Sequence, residues 1–166
     1  LVMMPFEDYE LLKVNTYTPP YWRTTEEIES ECPAPIEAVI NHLFPTGDAR
    51  DYILDWLFHA LVGRNEAYLV LNGAKGIGKG VFSSIVKAMV GDENYTEAPD
   101  SFLDSQFNAA LDKKRVIVLD EFTVTKEKHS KLKRYINKFQ NIEKKGQDAD
   151  QAVETFNSFI ISNNDE

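Results

Sequence analysis

Gly73-Ala74-Lys75-Gly76-Ile77-Gly78-Lys79-Gly80 follows the apolar run Tyr68-Leu69-Val70-Leu71, which reads as a strand, and enters Val81 to Val90, which reads as a helix. A strand, a glycine-rich turn and a lysine at a helix start together wrap the phosphates of a nucleoside triphosphate. Glycine lets the backbone turn its N–H groups inward, and the helix N-terminus adds partial positive charge. Gly73, Ala74, Lys75, Gly76, Ile77, Gly78, Lys79, Gly80 and Val81 are therefore the candidate nucleotide-binding residues, with Lys79 reaching the β- and γ-phosphates. The bland alternative is a strand-to-helix turn with an incidental lysine. The G-x-G-x-x-G spacing of dinucleotide-binding folds is absent, which removes the usual support for a nicotinamide or flavin.

One position departs from the phosphate-loop pattern. Ser or Thr normally follows the lysine and offers a hydroxyl to Mg²⁺, whereas this chain has Gly80. Two substitutes are open: water at the vacant coordination position, or Ser83 or Ser84 from the next helical turn. Magnesium prefers octahedral oxygen and keeps several waters, so nucleotide binding tolerates the change better than fast hydrolysis does.

Working outward, Val116-Ile117-Val118-Leu119 is a second apolar run that ends in Asp120-Glu121, and Phe156 to Ile161 is a third, followed by Ser162-Asn163-Asn164. In open α/β sheets the ligand sits at the carboxyl ends of the strands. Asp120 is accordingly the candidate Mg²⁺ residue and Glu121 the candidate base for the attacking water. Asn163, an uncharged amide, would orient that water beside the γ-phosphate. A solvated acidic strand end and a simple turn are the plainer readings of these two motifs taken singly.

Between these landmarks the pattern predicts helices from Pro35 to about Leu43, from an Asp48 cap to Gly63, from Ser101 to Leu111, and from Thr125 or Lys126 to Phe139. Tyr52, Ile53, Trp56, Leu57, Ala60 and Leu61 recur at helical spacing and read as core. Gly91 to Pro99 reads as a polar loop, and Asn141 to Thr155 as a β-hairpin centred on Lys144-Lys145-Gly146. Residues 1–34, with several prolines and an acidic run, read as an irregular segment with a short extended piece at Leu11 to Val14. Residues 35–166 form the core. Alternating strands and helices predict an α/β fold with a mainly parallel sheet covered on both faces.

The 166 residues suit a single core, with 43% hydrophobic and 27% charged residues as in globular proteins. No apolar run approaches a membrane span, and no signal peptide opens the chain. Cys32 is the lone cysteine, which excludes a disulfide framework and suits a reducing cytoplasm. His42, His59 and His129 have no ligand spacing. A start at Leu1 and a stop directly after an apolar strand read as an excerpt from a longer protein. Net charge is −9, yet residues 113–145 hold eleven basic and four acidic side chains, a local +7 against −16 elsewhere. That basic third is either a nucleic-acid face or a solvated helix surface.

The three motifs, in this order and spacing, resemble those of superfamily 3 helicases, most closely the primase-linked replicative ATPases of bacteriophages, plasmids and large DNA viruses. The resemblance covers roughly residues 35–166, and Asn15-Thr16-Tyr17-Thr18-Pro19-Pro20 resembles the segment that precedes the core in phage members. It implies an AAA+-like P-loop NTPase fold, ATP and Mg²⁺ as ligands, homo-hexameric rings, a linked primase, movement on single-stranded DNA and, for a phage protein, the bacterial host cytoplasm. Lys79 matches the Walker A lysine, Asp120 and Glu121 the Walker B pair, and Asn163 the sensor asparagine. Lys144 and Lys145 fall where that family carries its DNA-gripping hairpin, and lysine there suits backbone contact without base reading.

The family's arginine finger would lie beyond Glu166, and none of Arg23, Arg50, Arg64, Arg115 or Arg134 fits it. The chain by itself is thus expected to hydrolyse ATP weakly and to be monomeric. Two other classes compete: a nucleotide-binding regulatory or scaffold module with little turnover, and a small-molecule kinase. The kinase reading wants an arginine-rich acceptor lid, and the five arginines here are scattered.

Overall fold

Three apolar runs of the sequence lie side by side in a parallel sheet. The computed structural model describes residues 18–20, 31–104, 114–122, 125–136, 139–140, 153–154 and 157–164. Within these, β1 (Leu69–Gly73), β2 (Tyr95–Ala98), β3 (Val116–Asp120) and β6 (Ser158–Asn164) form one four-stranded sheet in the order β1-β6-β3-β2. All three pairings are parallel, with Asn72 beside Asn163, Gly73 beside Asn164, and Asp120 beside Ser162. The central strands β3 and β6 are buried along nearly their whole length, as their continuous Val, Ile and Leu require. The outer strand β1 alternates buried and exposed, leaving Val70 open to solvent.

Helices cover both faces. α1 (Ala34–Leu43), α2 (Gly47–Val62) and α3 (Lys79–Val90) pack on the face carrying Leu69, Leu71, Val116, Val118 and Ile160. Phe82 and Val86 of α3, with Trp56 and Ile53 of α2, fill that layer, each apolar side chain contributing about 1.5–3 kcal/mol by leaving water. The other face, Ile117, Leu119, Phe159 and Ile161, is covered by a 3₁₀ turn at Asp100–Asp104 and by Leu132 of α4 (Lys126–Tyr135). The observed class is α/β, in agreement with the sequence.

Several local expectations need correction. Thr46, not Asp48, caps α2: its Oγ1 accepts the Ala49 N–H at 3.3 Å, and Asp48 sits in the first turn. Tyr52 is 54% exposed because it falls off the stripe of Ile53, Trp56, Leu57 and Ala60. The Gly91 to Pro99 loop contains a 3₁₀ turn, Asp92–Asn94, and the strand β2. α4 ends at Tyr135, capped at its start by Thr125, while Phe139 lies in β4 (Phe139–Gln140). β4 pairs antiparallel with β5 (Val153–Glu154), the base of the expected hairpin set slightly outward of it. The helix expected at Ser101 to Leu111 begins as the 3₁₀ turn, and its remainder lies outside the described residues, as do Leu11 to Val14, Lys144 and Lys145.

Two polar ties fix the frame. Arg115, 1% exposed, donates through Nη2 to the carbonyls of Ala60 (2.5 Å) and Gly63 (2.6 Å), closing the C-terminus of α2 over the sheet. Asn94 donates to Thr18 O and Val90 O, both at 2.7 Å, which holds residues 18–20 against the end of α3.

Candidate functional site

The loop from Gly73 to α3 owes its shape to glycine. Gly76 and Gly78 have φ of +87° and +106°, values that L side chains rarely adopt. Gly78 is also the residue from which α3 starts, its carbonyl accepting the Phe82 N–H at 3.0 Å. Gly73 has a different reason: a Cβ there would stand 2.6 Å from Cδ1 of Ile77, which folds back over the strand end. The loop therefore closes tightly on itself and presents the first turn of α3.

Lys79 begins α3 and is 8% exposed. Its Nζ donates to Gly73 O at 2.6 Å and to Ala74 O at 3.0 Å, so the ammonium is held inside the loop by main-chain oxygens. Lys75, Gly76, Gly78, Lys79 and Gly80 line one side of a cavity of about 320 Å³. Ser83 of the same helix, with Glu97, Val118, Asp120, Glu121, Ser162 and Asn164 from the strand ends, completes the lining. Two ammonium groups thus face three carboxylates across a cleft within the size range of small-ligand sites, about 300–1,000 Å³.

Strand alternation explains who is present. Residues 95 and 97, 116, 118 and 120, and 160, 162 and 164 point to the α3 face, since side chains alternate with a period of two. Asp120 is the last residue of β3, and Glu121 follows with φ +51°, a left-handed value uncommon for glutamate. That turn brings Glu121 to the same cavity as Asp120.

Asn163 is the exception. All four expected residues, Lys79, Asp120, Glu121 and Asn163, stand at the carboxyl edge of the sheet, but Asn163 is not among those lining the cavity. β6 does not stop at Ile161; it runs on to Asn164, placing Asn163 on the opposite face with Phe159 and Ile161. Ser162 and Asn164 take the places beside the loop. Ala74, Ile77 and Val81, although part of the loop segment, do not line the cavity either, and Val81 is 53% exposed.

Residues 71–166 match the family described as "Family of unknown function (DUF5906)". The chain belongs to this family. No curated protein matches the sequence. Among solved structures, this DUF5906 chain is similar to the A form apo structure of the NrS-1 C-terminal region, at 22% identity and a TM-score of 0.80 over 98% of this chain and 42% of that one. A second apo structure of the same region gives 22% identity and a TM-score of 0.80 over 96% and 40%. At such identity the likeness shows the fold. The chain spans about two-fifths of the length of those solved chains.

Glu97 and Tyr95 belong to the site although the sequence did not single them out, and of the two serines it did name only Ser83 faces the cavity. Glu97 lines it from β2, and Tyr95, two residues earlier, donates its hydroxyl to Glu97 Oε1 at 2.9 Å. Burial, first, and then the Glu97 hydrogen bond and charge push the Tyr95 hydroxyl well above the usual tyrosine range, so it keeps its proton. Ser83 is 7% exposed and faces the cavity, whereas the Ser84 hydroxyl donates back to Gly80 O at 3.0 Å within α3. Among the described residues no three acidic, His or Cys side chains close on a common cation position, and no helix is long and apolar enough to cross a membrane.

Proposed function

We propose that this chain is the ATPase core of a replicative DNA helicase of the superfamily 3 kind, an AAA+-like P-loop NTPase that couples ATP hydrolysis to movement on single-stranded DNA. The observation that carries the reading is the meeting of the glycine loop, Lys79, Asp120 and Glu121 in one cavity at the carboxyl edge of a parallel sheet. Loop N–H groups and the start of α3 receive the phosphates. Lys79 exchanges the carbonyls of Gly73 and Ala74 for β- and γ-phosphate oxygens. The donor set fits magnesium, which takes most of its ligands from phosphate and water and only one or two from carboxylates. Asp120 would hold it, and the cation supplies charge neutralisation between the phosphates.

In hydrolysis a water oxygen attacks the γ-phosphorus, Glu121 accepts the water proton, and the γ-phosphorus bond to the bridging oxygen breaks, with the electron pair leaving on ADP. General-base help of this kind is worth about 10²–10⁴ in rate. Asn164 with Ser162, rather than Asn163, holds the attacking water in this reading. Single-stranded DNA is taken up by Lys144 and Lys145, helped by the exposed lysines of α4, in a homo-hexameric ring with a linked primase.

The test is ATP hydrolysis by the full-length protein with and without single-stranded DNA, beside Glu121→Gln. Hydrolysis that rises with DNA and falls at least about 100-fold in Glu121→Gln, with ATP still bound, supports the motor. One observation favours a second reading: Gly80 offers no hydroxyl, as suits a nucleotide-binding module with little turnover. Tight ATP binding without turnover supports that module, and failure to bind ATP defeats both.

A further inference from the structure

The structure suggests how the missing hydroxyl at Gly80 is replaced. A Cβ placed on Gly80 would meet nothing within 4 Å, so the space beside the loop is open where a Ser or Thr side chain would stand. On α3 the hydroxyl that faces the cavity is that of Ser83, about one turn further along, because Ser84 is turned back onto its own helix. Ser83 lies close to the Tyr95 hydroxyl. The Tyr95 hydroxyl itself donates its hydrogen bond to Glu97. Glu97 is oriented by the Tyr95 hydroxyl, and its second oxygen has no partner among the described residues.

We infer that Glu97 is a positioning residue for the divalent cation of the nucleotide site, acting with Ser83 through bound water in place of the hydroxyl that Gly80 lacks. This rests on the nucleotide-binding reading above. β2 is an outer strand beside β3, with Glu97 in register with Val118, two residues before Asp120 on the same face, so Glu97 and Asp120 lie on one side of the cleft. The Tyr95 hydrogen bond fixes one oxygen of Glu97, which orients that carboxylate at the cavity wall. Outer-shell partners of this kind typically contribute about 10–100-fold to metal affinity.

The experiment measures binding of a non-hydrolysable ATP analogue to the full chain, with and without manganese, the bound metal being followed by its electron paramagnetic resonance signal. In the wild type, manganese strengthens analogue binding; in Glu97→Gln that gain shrinks about tenfold while metal-free binding, relieved of one carboxylate facing the phosphates, does not weaken. Tyr95→Phe and Ser83→Ala reduce the gain in the same direction. Gly80→Ser added to Glu97→Gln restores it, a rescue that a merely structural role for Glu97 does not produce. Urea melts confirm that each variant is folded, and Glu97→Asp provides a conservative second variant. A full manganese gain in Glu97→Gln, or analogue binding indifferent to manganese in the wild type, overturns this inference and leaves nucleotide binding standing. No analogue binding at all overturns both.

Discussion

Gly78 and Gly80 lie two residues apart, and replacing each by alanine is expected to change stability in opposite directions. At Gly78 a Cβ meets no atom within 4 Å, so any cost comes from the backbone alone. Its φ of +106° is a conformation that an L residue holds only at a cost of about 1–3 kcal/mol. Gly80 has no positive φ, lies in the first turn of α3 and also has open space at its Cβ. There alanine restricts the unfolded chain and favours helix, a gain of about 0.5–1 kcal/mol. For a chain of this size each kcal/mol moves the thermal midpoint by about 2–4 °C. Gly78→Ala should therefore lower the midpoint by about 2–12 °C, and Gly80→Ala should raise it by about 1–4 °C. Thermal unfolding followed by circular dichroism, checked by urea titration, reads both. If the two variants shift the midpoint by the same amount in the same direction, the described loop backbone is wrong.

Other expectations follow from single contacts. Arg115→Met removes the donor to the Ala60 and Gly63 carbonyls and should cost about 3 kcal/mol in urea unfolding, with Arg115→Lys only partly restoring it. Tyr95 has its hydroxyl pKa raised in the folded state, so the folded protein keeps a proton that the unfolded chain loses above pH 10. Its contribution is complete below that pH and is lost as pH rises further, by up to about 1.4 kcal/mol per pH unit, and Tyr95→Phe should flatten that slope. Alanine at Asn164 should slow ATP hydrolysis by about 10-fold or more while alanine at Asn163 does not, and the reverse order would return the water-orienting role to Asn163.

The central sheet was legible because strands buried on both faces must be continuously apolar, and Val116 to Leu119 and Phe159 to Ile161 have that composition. The glycine loop was legible for a similar reason, since positive φ at Gly76 and Gly78 demands the residue that the sequence displays. β2 was not. Tyr95-Thr96-Glu97-Ala98 is short, carries a charge and pairs on one side only among the described residues, so it lacks the apolar run that marks a central strand. Missing β2 meant missing Glu97. The place of Asn163 was obscured by one uncertainty, the end of β6. Composition suggests a stop at Ile161, but pairing with Asn72 and Gly73 carries the strand to Asn164, and alternation then assigns Ser162 and Asn164 to the cavity. Helix ends were blurred in the same way, as with Phe139, whose apolar character fits the helical stripe although its backbone pairs with Glu154.

Equilibrium binding of labelled ATP to the wild type and to Lys79→Met tests the proposed nucleotide site most directly. Lys79 has no other cavity-lining ammonium within the first turn of α3 to replace it, and a charge-assisted contact to phosphate lost from a buried site should weaken binding by about 10–100-fold. The account predicts that loss in a variant that still unfolds cooperatively in the absence of nucleotide. Equal ATP affinity in the two proteins would contradict it.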